Sequence, residues 1–208
     1  MRVRDIETPV GLARAHIRRV PRARGAIVLS HGAGGGINAA DLTALSELTE
    51  DGWTYVLVEQ PWRVAGKRMA PRPPTLDQAW LPVMSALTSG RWRLPTPLIQ
   101  GGRSAGARVA CRTAVDVGVD GVLALSFPLR PPGKPDTTRA PEAQSVLDAG
   151  LPLGVVQGLR DPFGSPHDVR AELGDRAQVF EARGDHSFSR HPQDVLDAVR
   201  RWLSTFTT

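Results

Sequence analysis

From residue 25 onward the chain repeats one pattern. A short, nearly continuous apolar run ends in Gly, Pro or Asp, and a longer segment with helical spacing follows. This alternation constrains the fold more than any other feature. Strands separated by helices pair in parallel, and a parallel strand covered on both faces reads as an unbroken apolar run. Six runs qualify: GAIVLSHG (25–32), TYVLVEQP (54–61), TPLIQGGR (96–103), GVLALSFP (121–128), LPLGVVQG (151–158) and AQVFEARG (177–184). Between them, NAADLTALSELTEDG places Leu42, Leu45 and Leu48 on one stripe, with Asn38 or Asp41 as a cap and Gly52 as a stop. TLDQAWLPVMSALTSG (75–90), SAGARVACRTAVDVG (104–118) and HPQDVLDAVRRWLSTF (191–206) are predicted helices of the same kind, the last with Val195, Val199, Trp202 and Phe206 on its core face.

The first 24 residues follow a different period. Ala13, Ala15 and Ile17 alternate with Arg14, His16 and Arg18 after a TPVG turn, which predicts an antiparallel hairpin at a sheet edge. The Pro-rich stretch FPLRPPGKPDTTRAPE (127–142) reads as a surface excursion too short for a large lid domain. At 208 residues with 41% hydrophobic content, one domain over 1–208 is expected.

Composition excludes several classes. No window approaches 18 consecutive apolar residues and the N-terminus lacks the apolar core of a signal peptide, so a membrane role is not expected. Cys111 is the only cysteine, which fits a reducing, cytoplasmic compartment and excludes a cysteine-rich zinc module. The net charge of +5 comes almost wholly from arginine, since Lys67 and Lys134 are the only lysines. These arginines lie among acids and apolar residues without a binding motif or aromatic platform, so nucleic acid is not an expected partner.

Within this frame GGRSAG (101–106) closes one predicted strand and opens a helix. Such a turn holds a serine in a tight bend with its hydroxyl above the sheet, and Gly102 and Gly106 avoid clashes with adjacent backbone. A nucleophilic serine needs a base, and the base an orienting acid. Asp161 in LRDPFG and His186 in GDHSF each follow a later strand, in the chain order serine, acid, histidine. All three then lie at the carboxyl ends of strands, where open α/β sheets bind ligands. The loop SHGAGGG (30–36) follows the first parallel strand, and its Ala33 amide, with that of Ala105, is the expected oxyanion hole.

The residues TPVG (8–11), LSHGAGGG (29–36), EQPWRVAGKR (59–68), GGRSAGARVACRTA (101–114), FPLRPPGKP (127–135), QGLRDPFG (157–164) and GDHSF (184–188) together resemble the α/β-hydrolase fold. More narrowly they are similar to dienelactone-hydrolase-like proteins and to the α/β-hydrolase-like domain of testis-expressed and NSL-complex-subunit proteins. The resemblance implies an eight-stranded, mainly parallel sheet with helices on both faces and a triad of Ser104, Asp161 and His186. It implies a serine hydrolase acting on a small-molecule ester or thioester without metal or other cofactor. Some eukaryotic relatives serve as complex subunits, so a hydrolase fold acting through binding is the alternative.

Several residues carry two readings. Arg103 beside the serine either meets an anionic substrate or forms an ion pair under the elbow, with Glu59 as candidate partner. Trp62 and Phe127 follow strand ends and either line an apolar acyl pocket or pack in the core. His31 orders its own loop, His167 and His191 are substitutes for His186, and Asp185 is a poorer acid than Asp161. GGGINA (34–39) fits a dinucleotide fingerprint, with Glu59 as the ribose-binding acid. That reading leaves GxSxG, Asp161 and His186 unexplained. No GxxxxGK[ST] or HExxH occurs.

Overall fold

The computed structural model describes residues 1–134 and 136–206. Eight strands form one sheet: β1 Arg2–Thr8, β2 Gly11–Arg18, β3 Gly25–Ser30, β4 Trp53–Glu59, β5 Leu98–Arg103, β6 Gly121–Leu125, β7 Leu153–Gly158 and β8 Gln178–Ala182. Their spatial order is β1-β2-β4-β3-β5-β6-β7-β8. The hairpin β1-β2 is antiparallel and joins β4 antiparallel, with Arg14 opposite Glu59, and every other pairing is parallel. All six apolar runs are strands, and the edge hairpin lies where the period-two pattern put it.

The helices are α1 Ala40–Ala44, α2 Pro61–Val64, α3 Pro73–Thr88, α4 Ala105–Val117, α5 Ala140–Asp148, α6 Pro166–Leu173 and α7 Pro192–Leu203. They cover both faces of the sheet. On one face Val28, Val56, Val122 and Val155 meet Trp80 and Met84 of α3, Ala110 of α4 and Val146 of α5. On the other, Ile27, Leu29, Leu123 and Val156 meet Leu42 of α1 and Val195, Val199 and Trp202 of α7. Alternate residues of one strand thus serve two cores, the reason the runs are apolar without a break. Burying a side chain of this size contributes roughly 1.5–3 kcal/mol. No lid covers the carboxyl ends of the strands among the described residues, and no described helix is long and apolar enough to cross a membrane.

Three details depart from expectation. The helix expected around Leu42 is a five-residue α1 continued by a 3-10 turn, Leu45–Thr49, and neither Asn38 nor Asp41 caps it, since the N-cap is Ala39. Asp41 lies inside the helix and is buried against an arginine. The excursion after Phe127 ends in α5, and α6 starts on a capping box in which Ser165 and Asp168 bond each other's backbone. Both helices carry too few residues for a clear period.

Candidate active site

β5 ends at Arg103 and α4 begins at Ala105, so Ser104 is the whole connection between them. It sits at φ 53°, ψ −108°, a region costly for a residue with a side chain. The surrounding packing over-determines that conformation. Ser104 N donates to Leu125 O of β6 at 2.9 Å. A Cβ at Gly102 would stand 2.5 Å from Ser30 O, and one at Gly106 2.6 Å from the same oxygen. Only glycine lets β3, β5 and α4 approach this closely.

Asp161 follows β7 and His186 follows β8, and both reach Ser104. His186 Nδ1 donates to Asp161 Oδ2 at 2.8 Å, while Ser104 Oγ donates to His186 Nε2 at 2.9 Å. Asp161 is buried and ordered by further donors: Gln157 Nε2 at 3.0 Å on Oδ2 and the Phe163 amide at 2.9 Å on Oδ1. Its carboxylate therefore points one oxygen at the imidazole. The Phe163 ring lies over that imidazole, with ring centroids 4.4 Å apart. Neither Gln157 nor Phe163 is legible as part of the site in sequence. The one legible signal was the polar Gln157 inside an otherwise apolar strand.

The loop after β3 runs beside the serine, since a Cβ at Gly32 would lie 3.3 Å from Ser104 Cβ. Neither the Ala33 nor the Ala105 amide has a backbone acceptor among the described residues. His31 orders this loop. Its Nδ1 donates to Gly32 O at 3.0 Å and its Nε2 accepts from the Gln60 amide at 3.1 Å, and burial pushes its pKa below the ordinary value. The fingerprint-like residues 34–39 belong to the same loop, where Gly35 lies against Arg103 and Gly36 against Arg63.

Arg103 is paired, but not with Glu59. Its Nε lies 3.5 Å from Oδ2 of the buried Asp41, and its NH2 donates to the main-chain oxygen of His186 at 2.9 Å. Glu59 ends β4, which β3 separates from β5, and its carboxylate faces His16 on β2 at 3.9 Å. Desolvation raises the Asp41 pKa while the Arg103 charge opposes that rise. In sequence Asp41 reads only as a helix cap.

Trp62 keeps 7% of its surface exposed, and its ring meets His31 edge-on with centroids 5.3 Å apart. Phe127 corrects its expectation as a pocket residue: it has no exposed surface and packs in the core beneath β6 and β7. Ser126, at φ 46°, turns the chain there, and Phe127 O accepts from Gln157 Nε2 at 3.2 Å. Among the described residues no group of three or more His, Cys, Asp or Glu side chains converges as metal ligands would.

A mostly parallel sheet with an antiparallel edge hairpin, and a serine on a strained strand-to-helix turn bonded to a histidine, define a protein of the α/β-hydrolase class. The chain belongs to the alpha/beta hydrolase domain family, whose sequence model matches residues 23–204. Its fold is similar to a serine hydrolase homologue of Coxiella burnetii, with TM-score 0.78 and 18% identity over 96% of each chain. It is also similar to an α/β serine hydrolase without a lid from Xanthomonas campestris, with TM-score 0.76 and 17% identity over 99% of this chain and 94% of that one. Dienelactone hydrolase of Anabaena variabilis gives TM-score 0.77 and 14% identity over 100% of this chain and 98% of that one. No curated protein matches the sequence.

Proposed function

We propose that the protein is a serine hydrolase that cleaves a small ester or thioester. The observation that carries this reading is the unbroken chain of hydrogen bonds from Ser104 Oγ through His186 to Asp161, at 2.9 and 2.8 Å. With Nδ1–H held by Asp161, the imidazole presents a lone pair at Nε2 to the hydroxyl. Ser104 attacks the acyl carbonyl and His186 Nε2 takes its proton. The Asp161 carboxylate stabilises the imidazolium that forms. The amides of Ala33 and Ala105 receive the oxyanion, helped by the positive end of α4, and each such donor contributes about 10²–10³-fold in rate. His186 returns the proton to the leaving alcohol or thiol. A water molecule, deprotonated by the same nitrogen, then releases the acyl group. Nucleophile, base and orienting acid are all side chains of this chain, so the chemistry calls for no cofactor.

The test is covalent labelling with a fluorophosphonate probe, together with hydrolysis of p-nitrophenyl acetate. Wild-type protein labels on Ser104 and turns over the ester, and Ser104→Ala does neither. A folded wild-type protein that fails to label is not a serine hydrolase, and the fold then acts through binding.

A further inference from the structure

Between Glu59 and Asp77 the chain carries Arg63, Lys67, Arg68 and Arg72 and no acid. None of these four cations has an ion-pair partner among the described residues. The two acids that bound the segment are engaged elsewhere, Glu59 facing His16 and Asp77 held by Arg112 at 2.6 Å. This segment wraps a cavity of about 250 Å³ between the β1-β2 turn, α2 and the first turns of α3. Its walls are mainly apolar, with Leu12, Trp62, Leu76 and Ala79 among them, and Lys67 stands exposed at the rim. The volume lies just under the ~300–1,000 Å³ of pockets for drug-sized ligands, so it suits one arm of a small molecule.

The cavity lies at the catalytic end of the sheet. Because Arg14 of β2 pairs with Glu59, the last residue of β4, the turn at Gly11 lies beyond the carboxyl end of β4. Only β3 separates β4 from β5, so α2, which follows β4 and walls the cavity, begins two strand spacings, about 10 Å, across the sheet from the Ser104 strand. Trp62 stands between the two places: it lines the cavity and its ring meets His31 edge-on, and the residue after His31, Gly32, lies against Ser104.

We infer that this cavity receives an apolar arm of the substrate and that Lys67 meets an anionic group at the end of that arm. The substrate is then an ester or thioester of an amphipathic, carboxylate-bearing compound. The inference rests on the serine-hydrolase reading of Ser104. An alkyl arm gains about fourfold in affinity for each methylene taken from water, and the unpaired lysine supplies the charge that distinguishes an acid terminus from a methyl.

The experiment compares kcat/KM for p-nitrophenyl acetate, p-nitrophenyl octanoate and the mono-p-nitrophenyl ester of suberic acid in folded wild type, Thr75→Trp and Lys67→Glu. Thr75 lines the cavity and is only partly buried, so a large side chain there fills space without entering the core. Thr75→Trp is expected to lower the octanoate-to-acetate ratio by about tenfold, and Lys67→Glu the suberate-to-octanoate ratio by about tenfold. Either ratio unmoved by its variant overturns the inference while acetate hydrolysis keeps the serine-hydrolase reading intact. If wild type cleaves none of the three, that reading fails and the cavity is tested by calorimetric titration of monomethyl suberate. Binding weakened by both variants supports the cavity assignment, and no binding to wild type overturns it.

Discussion

Arg103 bonds the backbone of the very residue whose side chain Ser104 meets: its NH2 donates to His186 O at 2.9 Å, and Ser104 Oγ bonds His186 Nε2 at 2.9 Å. One residue of the elbow therefore holds the histidine loop by its main chain, and the next uses the ring. In the proposed hydrolase this contact would make Arg103 a positioning residue. Arg103→Met is expected to lower kcat for p-nitrophenyl acetate by about 10²-fold with little change in KM, because a shift near 1 Å in the base costs about that much. Arg103→Lys, which keeps the charge but not the fork, is expected to recover only part of the loss. An unchanged kcat in Arg103→Met would remove the role.

Asp41 and Arg103 are a buried pair, and removing one partner leaves the other charge uncompensated. Asp41→Asn should therefore lower stability by about 3 kcal/mol. The double change Asp41→Leu with Arg103→Met should recover most of that stability and none of the activity. Urea unfolding of the two variants beside wild type measures the first effect, and fluorophosphonate labelling rates the second.

The strain at Ser104 can be read from two variants that lack its hydroxyl. Ser104→Ala keeps a side chain at φ 53° and Ser104→Gly does not. The glycine variant is expected to be the more stable by about 1 kcal/mol, because relief of the strained backbone exceeds the entropy cost of glycine in the unfolded chain. A glycine variant no more stable than the alanine variant would mean that the strain at the elbow does not exceed the entropy cost of glycine.

His31 gives a pH dependence. Burial holds its pKa below the ordinary 6.5, so the unfolded chain binds its proton more readily than the native one. The contribution of neutral His31 is fully present above pH 6.5 and declines as pH falls through the value in the folded protein. Protonation at Nε2 also removes the acceptor for the Gln60 amide. The urea midpoint of wild type should fall as pH drops below 6.5, and His31→Gln should show a shallower fall.

Much of this architecture was legible because the relevant forces are local and periodic. The unbroken apolar runs named all six parallel strands, and the alternation of Ala13, Ala15 and Ile17 named the edge hairpin. Ser104, Asp161 and His186 were legible because each follows a strand, and strands in a parallel sheet all end on one side. Helices α5 and α6 were not, since nine and eight residues carry too few turns for a clear period.

By itself the sequence determined which residues are apolar at which spacing, and hence the order of strands and helices and the edge on which Ser104, Asp161 and His186 fall. Only the tertiary structure decided who meets whom across that edge. Strand order is a nonlocal property: with β3 between β4 and β5, Glu59 is carried away from Arg103 and Asp41 takes its place. The same packing put Phe127 in the core and left Trp62 lining a cavity, two aromatic residues that look alike in sequence. Side-chain partners depend on distances between segments far apart in the chain, and no local period records them.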